Sequence, residues 1–139
     1  MLYQLTLNHA DADDLTQEVF LRAHKGLASF GGRAEFATWL HRIALNCVKS
    51  HWARQSRRPL ACLEDIPEPA GPCGERPDFR VAATEMDGRI RSALERLSPK
   101  LRAAIVLTVL QDLSLPVAAR LEQCALPTMY WRVHEARRQ

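Results

Sequence analysis

Asp11 to Arg58 reads DADDLTQEVFLRAHKGLASFGGRAEFATWLHRIALNCVKSHWARQSRR, and the reading of this stretch decides the fold. In its second half Phe36, Trp39, Leu40, Ile43, Ala44, Cys47, Val48 and Trp52 recur with the spacing of one face of an α-helix. Strand alternation does not fit. Arg42, Asn46 and Lys49 recur with helical spacing on a different face. The pattern predicts a rod that buries one side and offers a guanidinium, an amide and an ammonium to a partner on the other. Arg54, Arg57 and Arg58 extend it as a basic cluster, and Pro59 stops the run.

Working backwards, a first helix is expected from about Ala12 to Ala28, with Leu15, Val19, Phe20, Ala23 and Leu27 on its buried face. Asp11, Asp13 and Asp14 stand at its start, where negative charge complements the helix dipole. Gln17 and Glu18 lie one turn further in and need another reason. Gly31 and Gly32 break the chain before the second helix.

Charge is distributed in blocks. Residues 1–30 hold two basic and four acidic side chains, residues 31–58 six and one, residues 59–79 one and five, and residues 80–139 ten and six. The net charge of +3 decides nothing, but two basic helical blocks flanking an acidic one suit a polyanion that runs past both. The N-terminus lacks a basic start followed by an apolar run, and no segment approaches the roughly 20 apolar residues of a membrane span. Cys47, Cys62, Cys73 and Cys124 show no CxxC spacing, which argues against structural zinc and for a reduced, cytosolic setting. No cofactor is implied. The five histidines are scattered, with no catalytic constellation at motif spacing, so an enzyme is disfavoured.

From Arg58 to Asp78 the chain reads RPLACLEDIPEPAGPCGERPD, which holds five of the eight prolines and no helical period. This is read as a linker. Beyond it, Met86, Ile90, Ala93, Leu94 and Leu97 are spaced for a helix ending near Ser98-Pro99. Ser98 is placed to cap a helix from Pro99 to Gln111. Ser114 is placed to cap a short helix to Leu121 or Glu122. A last helix is expected from about Thr128, with Met129, Val133 and Ala136 inward and Tyr130, Trp131, Arg132, His134, Arg137 and Arg138 elsewhere. Two short helices with a tight turn and a final helix bearing arginine and aromatics form a helix-turn-helix candidate.

With these residues in view, DADDLTQEVFLRAHKGLASF followed by FATWLHRIALN resembles region two of bacterial sigma factors of the extracytoplasmic-function group. LERLSPKLRAAIVLTVLQDLSLPVAARLEQC and the following RVHEARR resemble their region four. The resemblance implies an all-α protein of two small helical modules, residues 1–58 and 80–139, joined by the Pro-rich acidic linker 59–79. It implies that Asp14, Leu15, Gln17 and Glu18 dock on the coiled coil of the polymerase β′ subunit, which supplies the reason Gln17 and Glu18 lacked. Asn46 matches the position beside the pocket that captures a base flipped from the promoter −10 element. An amide suits that task because it both donates and accepts on a base edge. Phe30 matches the residue bordering this pocket. Trp39 is available to stack on a base, with core packing the competing role. Arg42, Lys49 and Arg54 are expected on backbone phosphates. Thr128, Tyr130, Trp131, Arg132 and Arg137, with Arg138 beside them, are expected at the −35 element. Core RNA polymerase, promoter DNA and an anti-sigma protein are the implied partners.

Three departures stand out. The opening MLYQLTLNHADADD matches only the last turns of the family's first helix, so apolar surface is expected to lie open on the first module. Leu115, Pro116 and Val117 replace the acidic pair after the capping serine, at an expected cost of about 1 kcal/mol to that helix. A-L-P-T-M-Y-W-R stands where the family reads roughly P-x-G-T-V-K-S-R, which predicts unusual or impaired −35 reading. The competing functional reading is a stand-alone helix-turn-helix regulator. The acidic helix and the Arg42, Asn46, Lys49 stripe argue against it, because binding to duplex DNA alone needs neither.

Overall fold

The structure, a computed structural model, describes residues 1–32, 34–57 and 88–139. The linker, Arg33, Arg58, Cys62, Cys73 and Met86 lie outside the described residues. A short helix α1 (Leu2–Thr6) ends where Leu7 turns left-handed at φ 60°. Asn8 then accepts a 3.1 Å hydrogen bond from the Asp11 amide and starts α2 (His9–Leu27). The helix thus begins three residues before the predicted Ala12, because the asparagine amide outcompetes charge alone as a cap. Asp11 is the one aspartate in its first turn. The buried face is Ala12, Leu15, Val19 and Ala23. Phe20 and Leu27, expected inside, are 63% and 53% exposed.

The rod predicted by the sequence is α3 (Phe36–Gln55). It runs antiparallel to α2: His51 pairs with Asp11 at one end, and Trp39 lies over Gly26 at the other. Ala44, Cys47 and Val48 are buried, with Leu40, Ile43 and Trp52 packed on the same core. Phe36 leaves the expected stripe and stands half exposed. Leu45, outside the stripe, is buried all the same. It lies one turn from Lys49, on the side of α3 that meets α6.

Chain 88–96 forms α4, and Leu94 and Leu97 at its end are buried. Helix α5 (Pro99–Ile105) runs into a π turn, Val106–Leu110, where an uninterrupted helix to Gln111 was expected. Three of the five residues in VLTVL are β-branched and poor helix formers, and Thr108 donates to the Ala104 carbonyl at 2.7 Å. The Gln111 amide reaches back five residues to the Val106 carbonyl at 2.9 Å. Helices α6 (Leu115–Glu122) and α7 (Leu126–Arg138) follow, separated by a left-handed Gln123 at φ 55°. Ser98 and Ser114 hold the predicted cap positions, yet neither side chain makes a capping bond. Helix α7 starts two residues before Thr128, and Pro127 is accommodated in its first turn, where no intrahelical amide bond is lost.

One apolar core runs through both modules, from Leu5 and Val48 to Leu107, Met129 and Ala136. The Arg102 guanidinium is a strut beside it. It donates to the carbonyls of Leu94 at 2.9 Å and Leu97 at 3.3 Å, closing the end of α4, and to Leu5 of α1 at 3.0 Å. Burial lowers its pKa, with Glu95 acting in the opposite sense, yet a guanidinium stays charged in a protein. Arg102→Ala is expected to cost about 2–3 kcal/mol, the scale of charge-assisted hydrogen bonds to otherwise orphaned carbonyls. Urea titration checks this; a loss below about 0.5 kcal/mol would show that water replaces the guanidinium freely.

Candidate docking and nucleic-acid interface

Three surfaces carry the candidate functional side chains. The first is the exposed flank of α2. Asp14 and Gln17 are exposed and Glu18 is half-buried, whereas Leu15 is in the core. Asp14 and Glu18 line a cleft of about 550 Å³ together with Asp11 and the basic end of α3, at His51, Arg54 and Arg57. Glu18 pairs with Arg22 one turn along and with Arg54 at 3.8 Å, and Asp11 lies 3.4 Å from His51. These partly exposed pairs are weak and leave the carboxylates free to exchange partners.

The second surface is the outward face of α3. Arg42 and Asn46 are exposed, and the Arg54 side chain is 65% exposed. At the head of this face three rings meet. Phe30 lies 5.0 Å from Trp39 and 5.8 Å from Phe36, the latter edge-on, and Phe36 lies 5.5 Å from Trp39, centroid to centroid. Such offset and edge-on contacts hold rings in place. Trp39 is half-buried against the backbone of α2 because residue 26 is glycine: a Cβ there would come within 3.1 Å of its ring. Phe36 completes the cluster, and the sequence reading had assigned it to the core. Its place at the first turn, one turn ahead of Trp39 and beyond the reach of α2, was the available clue. Behind this face burial raises the Cys47 thiol above its ordinary pKa; Arg22 opposes the rise, Glu18 adds to it and Arg54 opposes it.

The third surface is α7, which with α6 makes a helix-turn-helix. Thr128, Tyr130, Trp131, Arg137 and Arg138 are exposed, the two aromatics by 57% and 61%. Arg132 is turned inward: its side chain is 13% exposed, and Nη1 donates to Glu122 Oε2 at 3.2 Å. The other oxygen of the same carboxylate lies 3.2 Å from Lys49 Nζ of α3. Sequence reasoning missed Glu122, since nothing local marks a residue whose partners come from two other helices. Among the described residues no group of three or more His, Cys, Asp or Glu could hold a metal ion. No helix among them is long and apolar enough to cross a membrane.

An acidic flank, a polar helix face headed by aromatic rings and a helix-turn-helix together point to the class of DNA-binding transcription factors. Comparison with known proteins narrows the class. Residues 1–58 match the family model of Sigma-70 region 2, and residues 87–139 match that of Sigma-70, region 4. The chain is 31% identical over 134 residues to the RNA polymerase sigma-H factor of Pseudomonas aeruginosa, covering 91% of this chain and 69% of that protein. It is 34% identical over 134 residues to the ECF RNA polymerase sigma-E factor of Escherichia coli, covering 91% of this chain and 70% of that protein. In structure it is similar to the sigma factor RpoE of Bartonella quintana, solved with the anti-sigma factor NepR. That likeness has a TM-score of 0.74 at 26% identity over 99% of this chain and 82% of the other. The chain therefore belongs to the sigma factors of bacterial RNA polymerase, in the extracytoplasmic-function group. Its work is that of a sigma factor, directing transcription initiation.

Proposed function

We propose that this chain docks on the β′ coiled coil of core RNA polymerase through Asp14, Gln17 and Glu18, held in place by Leu15. It then reads an unpaired −10 strand along α3 and the −35 duplex with α7. The modules are residues 1–58 and 80–139, with 59–79 as the tether. Asn46 meets a flipped base, with Phe30 and Trp39 at the pocket and Arg42, Lys49 and Arg54 on phosphates. Thr128, Tyr130, Trp131 and Arg137 face the −35 element; Arg132 stands on the same helix with its side chain turned inward to Glu122. The chain supplies no catalytic group; it acts in the cytoplasm, where polymerase and promoter are, and an anti-sigma protein is its third partner. The observation that carries this reading is the outward face of α3. Arg42 and Asn46 stay in solvent beside a three-ring cluster while the opposite side of the same helix fills the core.

In vitro transcription with core polymerase on a promoter library tests it. Initiation at a defined set of promoters is expected. Duplex binding without transcripts would favour the stand-alone regulator. In the same system, promoter affinity should fall steeply with salt, because each phosphate contact releases a counterion, with a slope of about −0.9 per contact on a log scale.

A further inference from the structure

Helix α7 reads LPTMYWRVHEARR. Met129, Val133 and Ala136 are buried and fix its inner side. Tyr130, Trp131, His134 and Arg138 follow the helical period on the opposite side, and all four are exposed. When a helix enters the major groove, its N-terminal residues are the ones that meet base edges. In the first two turns of α7 the sequence holds a single arginine or lysine, Arg132. Its guanidinium points away from that outer side, where Nη1 donates to Glu122 Oε2 at 3.2 Å. The largest exposed side chains of these turns are instead Tyr130 and Trp131. The exposed arginines, Arg137 and Arg138, come only in the last turn.

A face of this kind is poorly made for guanine. Strong guanine reading needs two parallel donors, supplied by arginine or lysine, aimed at O6 and N7. The two nitrogens of the His134 ring diverge, and Glu135, one turn on from Trp131, only accepts when ionised, so it is repelled by the two guanine acceptors. Thymine fits better. Its C5 methyl is the apolar group that a base pair shows in the major groove, and apolar side chains recognise it by contact. The Tyr130 hydroxyl adds a donor for thymine O4. Arg137 and Arg138 then suit phosphates, which hold register without reading sequence.

We propose that α7 selects thymine in the −35 element, with Trp131 and Tyr130 packed on C5 methyl groups in the major groove and no guanine read by paired hydrogen bonds. The proposal rests on the reading of α7 as the −35 helix and names what that helix recognises.

The test uses holoenzyme assembled from the full chain and core polymerase, on a promoter library randomised across the −35 element. Thymine should be enriched at two or more positions and guanine at none. The best template is then remade with deoxyuridine in place of each −35 thymine, which removes the methyl and keeps the base pair. Wild type should lose roughly three- to fivefold in promoter affinity per contacted methyl, the scale of burying one such group. Trp131→Ser, a change at an exposed position, should bind the thymine template more weakly and no longer distinguish it from deoxyuridine at the position Trp131 covers. An element enriched in guanine, or one with no preferred base, overturns thymine selection, as does wild-type indifference to the methyl. A deoxyuridine penalty unchanged in W131S overturns the role of Trp131. In each of these cases transcripts are still made, so the sigma-factor reading stands. Transcripts from no member of the library overturn that reading, and the assignment of α7 with it.

Discussion

Alanine at both Gln17 and Glu18 is expected to remove core-polymerase binding and to leave the weak DNA affinity of the free chain in place. The expected loss is about 100-fold or more in affinity for core, roughly 2.7 kcal/mol, the scale of paired central residues in a protein interface. The fold should tolerate the change. Gln17 is exposed, and Glu18 is engaged in exposed pairs with Arg22 and Arg54 that contribute little to stability. A melting temperature within a few degrees of wild type is the control. Pull-down of core polymerase, beside a mobility shift on duplex DNA, separates the outcomes. If the double variant keeps its grip on polymerase and loses DNA instead, the acidic flank is not the docking surface.

How much of this was legible in the sequence depends on what each residue leans on. The helix-period stripe from Leu40 to Val48 and the inward Met129, Val133 and Ala136 were readable, because their burial is decided within one module. The exposed stripe of Arg42 and Asn46 was readable for the same reason. Where the reading failed, a neighbour decided the outcome. Leu45 is buried because α6 lies across it, and Lys49 is drawn to Glu122 from the same direction. Periodicity within α3 contains no trace of a helix some seventy residues away in sequence. Phe20 and Leu27 are exposed because α2 meets too little of the chain on that side. There an apolar groove between α1, α2 and α3 lies open, lined by residues such as Leu2, Val19, Phe20 and Leu40. The helix starts were missed by two or three residues, since Asn8 and Ala125 take cap positions that charge patterning does not reveal.

The same distinction separates the two proposed DNA surfaces. Tyr130 and Trp131 replace the polar pair expected on the last helix, and both stand in solvent, so they alter what α7 offers without disturbing how it packs. Arg132 is different: its side chain is held inward by Glu122 of the neighbouring helix. The −10 surface has no such restraint at Arg42 and Asn46. Promoter melting by α3 is accordingly the step in which single side chains should count most.

Asn46→Ala is expected to slow open-complex formation by roughly 10- to 100-fold while reducing initial duplex binding by less than about threefold. The magnitude follows from the roughly 1–3 kcal/mol that a well-placed amide contributes to telling one base edge from another. The asymmetry follows from position. Asn46 is exposed on the outward face of α3, on the helix headed by the Phe30, Phe36 and Trp39 rings. Before strand separation the base it would meet is stacked in the duplex, so the amide has nothing to hold. After separation the base is free to leave the stack, and the amide supplies a donor and an acceptor together. Truncating an exposed side chain in a helix interior to alanine favours the helix, so lost folding is not a competing cause. Permanganate reactivity of thymines reports the opening, and a competitor-sensitive mobility shift with polymerase reports the duplex encounter. Equal losses in both would move Asn46 from the flipped base to the duplex backbone. Asn46→Gln, which keeps the amide but displaces it by one methylene, should fall between wild type and alanine if geometry at the base edge is what the residue provides.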